Sequence, residues 1–146
     1  MHTVDRNKER VRALYEDCIN QGRLDMLDDL VAQDFVGPKG ELGPREFRAS
    51  IDAVRTGFPG VRFEIEDLFG EGDKVAVRWT FHARHGGHFA GLPPSGTRVS
   101  QTGHAIYQLQ DGRIVRGWLQ VDRLGVLQQI GAVPKAFAGA EAGRPL

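Results

Sequence analysis

This 146-residue chain has one cysteine, two methionines, no net charge and no long apolar run. Each scarcity excludes something. With Cys18 alone there is no internal disulfide, which fits a reducing compartment, so a cytoplasmic setting is expected. Cys18 lies on the apolar stripe of the first expected helix, so it reads as a packed thiol, not a nucleophile. No segment approaches the length of a membrane span, and MHTVDRNKERVRAL has no apolar core for a signal peptide, so no membrane partner is expected. Nineteen basic residues balance nineteen acidic ones, leaving no field to draw the chain to nucleic acid. His82, His85 and His88 in HARHGGH have three-residue spacing, but no cysteine or carboxylate stands among them, and no metal site is expected. The length suits one domain, expected over residues 1–131, followed by a flexible tail over 132–146, AVPKAFAGAEAGRPL.

What is present divides near residue 61. Before it the apolar residues recur at helical spacing. Val4, Val11, Leu14, Tyr15, Cys18 and Ile19 form one stripe over residues 4–21, with Thr3 as the expected cap and Gly22 as the stop. Leu24, Leu27, Leu30 and Val31 mark a second, shorter helix, and Phe35-Val36 a brief strand. Gly43-Pro44 opens a third helix, carrying Phe47, Ile51, Val54 and Phe58, that ends at Phe58-Pro59-Gly60. From Val61 the period is two. Val61, Phe63 and Ile65 alternate with charges, and Val75, Val77, Trp79 and Phe81 share one face of a second strand. The connection HGGHFAGLPPSG is too rich in glycine and proline for regular pairing. Strand residues resume at Thr97, and Asp111-Gly112 signals a hairpin. Helices followed by antiparallel strands make an α+β plan, in which a twisted sheet with helices across one face forms a half-open cone around a pocket.

The last strand runs into a short helix in RIVRGWLQVDRLGVLQQIG, residues 113–131. Alternation puts Trp118, Gln120 and Asp122 on one face and Leu119 and Val121 on the other. Asp122 is then either a reactive carboxylate on a pocket wall or the cap of the helix that follows. Trp79 and Tyr15 are candidates for lining the pocket, though each sits on an apolar stripe that would equally suit plain core.

These residues carry a family resemblance. EGDKVAVRWTF, GHFAGLPPSGTRV, TGHAIYQLQDGRIV and WLQVDRLGVLQQIG resemble the SnoaL-like polyketide cyclases of the nuclear-transport-factor-2-like (NTF2-like) superfamily, over about residues 5–131. The resemblance implies an NTF2-like, cystatin-like cone with N-terminal helices on a curved antiparallel sheet. It also implies a cofactor-independent intramolecular aldol ring closure, or a proton transfer alpha to a carbonyl, in a hydrophobic substrate. Asp122 stands at the position of the family's general acid/base. Burial beside Trp118 would favour its protonated form and suit it to that work. Where many relatives carry a histidine after the short strand, this chain has Pro38 and Lys39.

His104 is the natural partner for Asp122, as a donor to the developing enolate. Its face depends on the hairpin. A strict two-residue turn pairs it near Leu119, away from Asp122, whereas a three-residue loop with a glycine bulge pairs it near Trp118 and joins it to Gln120 and Asp122. The expected site is therefore Asp122 and His104 for catalysis, with Trp118, Gln120, Trp79 and Tyr15 against the substrate. A homodimer or homotetramer through the outer sheet face is expected. The alternatives are an epoxide hydrolase, which calls for an Asp–Arg–Asp set around a water, and a binding module without turnover.

Overall fold

The change of period near residue 61 separates helices from strands in the computed structural model, which describes residues 2–134. Helix α1 (Thr3–Ala13) runs directly into a π-helical segment, Leu14–Ile19. Thr3 is itself helical and does not cap; His2 holds the cap position without a side-chain bond. A π turn is wider than an α turn. Here it carries Leu14, Tyr15, Cys18 and Ile19 all into the interior, where a regular helix would spread them over a broader arc. Gly22 ends the segment with φ at +71°. A single 3₁₀ turn (Leu24–Met26) leads into α2 (Leu27–Leu30), and Val31 already belongs to a strand.

That strand, β1 (Val31–Val36), is longer than Phe35-Val36 suggested. Helix α3 (Gly43–Gly57) follows, with Pro44 in its first turn. The remaining strands are β2 (Arg62–Glu71), β3 (Lys74–Arg84), β4 (Arg98–Gln110) and β5 (Arg113–Val121), and α4 (Arg123–Gln129) closes the described chain. The sheet order is β1-β5-β4-β3-β2. β1 joins β5 in parallel, so the sheet is mixed and not wholly antiparallel as expected. The expected tail lies, from residue 135 onward, outside the described residues.

One sheet face packs against α1, the π segment and α3. Val75, Val77, Trp79 and Phe81 of β3 and Val99, Ala105, Tyr107 and Leu109 of β4 meet Val11, Leu14, Tyr15, Phe47 and Ile51 there. This is the inner face of the cone. β2 is an edge strand, and Asn20 blunts it: the Asn20 side chain donates to the Phe63 carbonyl at 2.8 Å and accepts from the Phe63 N–H at 2.7 Å. The amide head thus acts as one more residue of strand and anchors the helical layer to the sheet.

The β4–β5 hairpin follows neither expected register. Gln110 pairs with Arg113 around a strict two-residue turn, with Asp111 at φ +51° and Gly112 at φ +77°, the left-handed pair of a type I′ turn. Leu109 pairs with Ile114, but Gln108 pairs with Arg116, so Val115 is an inserted residue. The bulge lies beyond the turn, and it brings His104 opposite Gln120.

Candidate active site

Tyr15, Trp79 and Tyr107 meet at the heart of the cone. Tyr15 lies 6.4 Å from Trp79 and 6.4 Å from Tyr107, ring centre to ring centre, and Phe63 packs edge-on to Trp79 at 4.8 Å. The two tyrosine hydroxyls share a hydrogen bond of 2.7 Å. Burial holds both phenols in their protonated form: Tyr107 is pushed up to about 12 and Tyr15 well above its ordinary 10.0. One hydroxyl donates to the other, which leaves the second proton to spend elsewhere. The buried Trp79 indole N–H makes no full hydrogen bond; its influence on the Tyr15 hydroxyl is the least of those acting there. Gln101, on the same inner face and 5 % exposed, makes no side-chain hydrogen bond among the described residues. An apolar interior thus carries a small group of hydrogen-bond donors with capacity unused.

A glycine seats the Trp79 indole. A Cβ added at Gly103 would run into the Trp79 indole, so the ring lies flat against bare backbone. Ala105 and Gly117 continue this shallow inner surface on β4 and β5. Leu119 pairs with Ala105 and so shares the inner face, yet it is 41 % exposed. Leu124 of α4 is 43 % exposed.

Asp122 comes one residue after Val121, which pairs with Gly103, and its N–H donates to the Thr102 carbonyl at 3.0 Å. It is exposed, and its Oδ1 accepts the Gly125 N–H at 2.9 Å, capping α4. The dry setting expected for this carboxylate is therefore not what surrounds it. The capping alternative is the one its geometry displays, and its Oδ2 makes no hydrogen bond among the described residues.

Trp118, Gln120 and His104 lie on the outer face, not in the interior. Trp118 is 47 % exposed with the Lys74 ammonium 6.0 Å from its ring, and His104 and Gln120 are exposed opposite each other. The alternation separating Trp118 from Leu119 holds, but the face turned to the helices is that of Leu119. Register decides this. On β4 the inward set is Gly103, Ala105, Tyr107 and Leu109, and Leu119 and Val121 fall opposite its small members. Of the six expected site residues, only Tyr15 and Trp79 are brought together inside. Tyr107 and Gln101 were missed, although their place in an alternating run paired with Val75–Phe81 is a signal for the inner face.

The three spaced histidines separate. His82 is exposed beside Glu64 at 3.4 Å, His85 is wholly buried and His88 is exposed, and among the described residues no group of three ligand-type side chains could hold a metal. Cys18 is buried, and burial pushes its thiol up to about 11, which suits packing and not attack. Two surface grooves, of about 600 and 530 Å³, lie elsewhere. The first is lined by Arg6, Asp34 and Asp111 and by an ion-paired set, Arg10 with Asp29 at 2.9 Å and Arg113 with Asp29 at 3.8 Å. The second is bordered by Gln129, whose amide is spent on the Ser100 backbone.

The fold is α+β, with helices packed on one face of a five-stranded mixed sheet. The family model described as SnoaL-like polyketide cyclase matches residues 9–130, and the chain belongs to that family. Among solved structures it is similar to a candidate SnoaL-like polyketide cyclase from Jannaschia sp. CCS1, with 25% identity, TM-score 0.82 and coverage of 92% of this chain and 97% of that one. TsrD from Streptomyces laurentii is 30% identical, with TM-score 0.77 over 88% of this chain and 95% of its own. IdmH from Streptomyces antibioticus, a candidate polyketide cyclase, is 27% identical, with TM-score 0.75 over 89% and 99%. No curated protein sequence matches the chain. Among the described residues no helix is long and apolar enough to cross a membrane.

Proposed function

We propose that this chain is a cofactor-independent cyclase or isomerase that moves a proton alpha to a carbonyl in a hydrophobic, polyketide-like substrate. The observation that carries the reading is the buried Tyr15–Tyr107 hydroxyl pair, with the unpaired Trp79 N–H near it. A substrate carbonyl entering past Leu119 and Leu124 meets donors already held in a water-poor setting. Such donors stabilise an enolate more than the neutral ketone, so they favour the charge that develops on proton removal. Asp122 is the proton carrier in this reading. It stands where the strand leaves the chamber wall, and a substrate seated there would displace the water around its unpaired oxygen. Proton return to the new hydroxyl would complete an aldol closure without change of oxidation state.

His104, Trp118 and Gln120 have no part in this chemistry. They belong to the second half of the proposal, self-association through the outer face. Phe69, Ala76, Ile106 and Trp118 fall in register across β2, β3, β4 and β5 and make one apolar row. Phe69, Ile106 and Trp118 are all exposed, and a second copy of the same row is the partner that fits. The lone buried thiol accords with a cytoplasmic setting.

A second reading, a binding protein without turnover, draws on the same Asp122 geometry, since a capping carboxylate already has a structural task. The epoxide hydrolase alternative is disfavoured by Arg123, which has no carboxylate partner among the described residues. Binding of an aromatic ketone, 2-acetonaphthone, tests the chamber. It is followed by Trp79 fluorescence in W118F protein, which removes the exposed indole. The expected result is saturable quenching that Y107F weakens by about tenfold, the worth of one hydrogen bond in a dry site. Quenching indifferent to Y107F contradicts the proposal.

A further inference from the structure

A half-buried arginine ordinarily has a carboxylate beside it, and Arg123 has none among the described residues. It follows Asp122 at the start of α4, with its guanidinium carbon 4.5 Å from the centre of the Phe89 ring. Its Nε is buried without an acceptor, and Asp122, whose Oδ1 accepts the Gly125 N–H, makes no ion pair with it. Arginine stays charged through neutral pH, so this is a cation held against an aromatic face with its inner edge unsolvated.

A second donor flanks the same rings. Phe89 packs on Phe58 at 4.7 Å, and Phe58 lies 5.6 Å from the imidazole of His85. His85 is wholly buried, and the Ser95 N–H donates to its Nδ1 at 3.2 Å. That bond assigns the imidazole proton to Nε2, and Nε2 too has no acceptor. The rings continue into the chamber, since Phe58 packs on Phe81 at 5.0 Å and Phe81 stacks on Trp79. Buried donors are almost always paired, so two left unpaired around one phenylalanine pair call for a reason.

We propose that Arg123 forms a subsite for an acidic oxygen of the substrate, a carboxylate or an acidic enol, beside the Phe89 ring. The inference rests on the chamber reading above and narrows it: the substrate is a hydrophobic carbonyl compound that also carries an anionic group. A guanidinium offers a planar fork to such a group, and the Phe89 ring keeps that fork in place. The anion would lie next to Asp122, the residue proposed to move the proton.

Two probes of matched bulk test this, 2-naphthoate and the neutral 2-acetonaphthone, titrated against the natural sequence, R123Q and R123K. The expected result is at least about tenfold tighter binding of naphthoate to the natural sequence, the effect of one charge-assisted hydrogen bond. R123Q should lose that preference while holding the ketone as before, and R123K should keep part of it. Equal affinity for the two probes in the natural sequence, or a preference that survives R123Q, overturns the inference and leaves the chamber standing. Failure of both probes to bind the natural sequence overturns the chamber reading and the inference together. The comparison on the natural sequence is informative even if a variant folds poorly.

Discussion

Tyr15 and Tyr107 are the only tyrosines in the chain, and both are buried with their hydroxyls joined. Their titration therefore reports this buried pair alone. Burial raises both groups above the ordinary phenol value of 10.0, so the fold favours the protonated forms. The stability linked to this is fully present below pH 10, where the unfolded chain still keeps its protons. It is lost as pH rises through about 12, where Tyr107 itself ionises. The ultraviolet tyrosinate band should accordingly stay absent at pH 10 and grow only with loss of the native circular dichroism. A band that grows at pH 10 in a folded protein would mean that the hydroxyls are not sealed in. At this scale the sequence was a partial guide. Tyr15 and Trp79 were legible as pocket candidates because each sits on an apolar stripe with a polar tip. Asp122 was legible only as two alternatives, since a carboxylate ahead of a helix suits cap and base equally. The nearness of Gly125 to its carboxylate, where a Cβ would collide with Asp122, points to the cap.

Two side-chain amides do the work of missing strand residues. Asn20 completes the edge of β2 at Phe63, and Gln129 does the same for β4, where that strand outruns β5. The Ser100 N–H donates to Gln129 Oε1 at 2.9 Å, and Gln129 Nε2 donates to the Ser100 carbonyl at 2.9 Å. Gln129 therefore fixes α4, and with it Asp122 and Arg123. Replacing Gln129 by Ala should cost about 1 kcal/mol. Hydrogen exchange should quicken at the Ser100 amide and through α4, with the β3–β4 ladder unchanged; protection at Ser100 equal to that of the natural sequence contradicts this role. Element boundaries were largely readable from caps, glycines and the change of period. The register of the β4–β5 hairpin was not. Asp111-Gly112 correctly signals a two-residue turn, but nothing in Gln108, Leu109 or Val115 announces the bulge that moves His104 by one residue. One residue is enough to change which strand position a side chain faces, and so which partners it can have.

On the scale of the whole molecule, the helical layer, the long strands and their α+β arrangement follow from apolar spacing. The parallel seat of β1 beside β5 does not, because a six-residue strand with burial on both faces has no alternation to read. Which sheet face is inner also depends on pairing across strands, and that is where Trp118 and Gln120 were misplaced. The proposed self-association uses the outer apolar row. I106E sits in the middle of that row, away from the core, and should give a folded monomer in analytical ultracentrifugation where the natural sequence sediments as a dimer or tetramer. A natural sequence that sediments as a monomer at micromolar concentration contradicts the assembly but leaves the chamber untouched. The chemistry itself is best reached without the native substrate, through exchange of the alpha protons of 2-tetralone in deuterated buffer, followed by proton NMR. Asn caps a helix about as well as Asp, so D122N keeps α4 in place and removes only the base. The account predicts that the natural sequence speeds the exchange and that D122N slows it by about a hundredfold or more. Exchange by D122N at the rate of the natural sequence would contradict it.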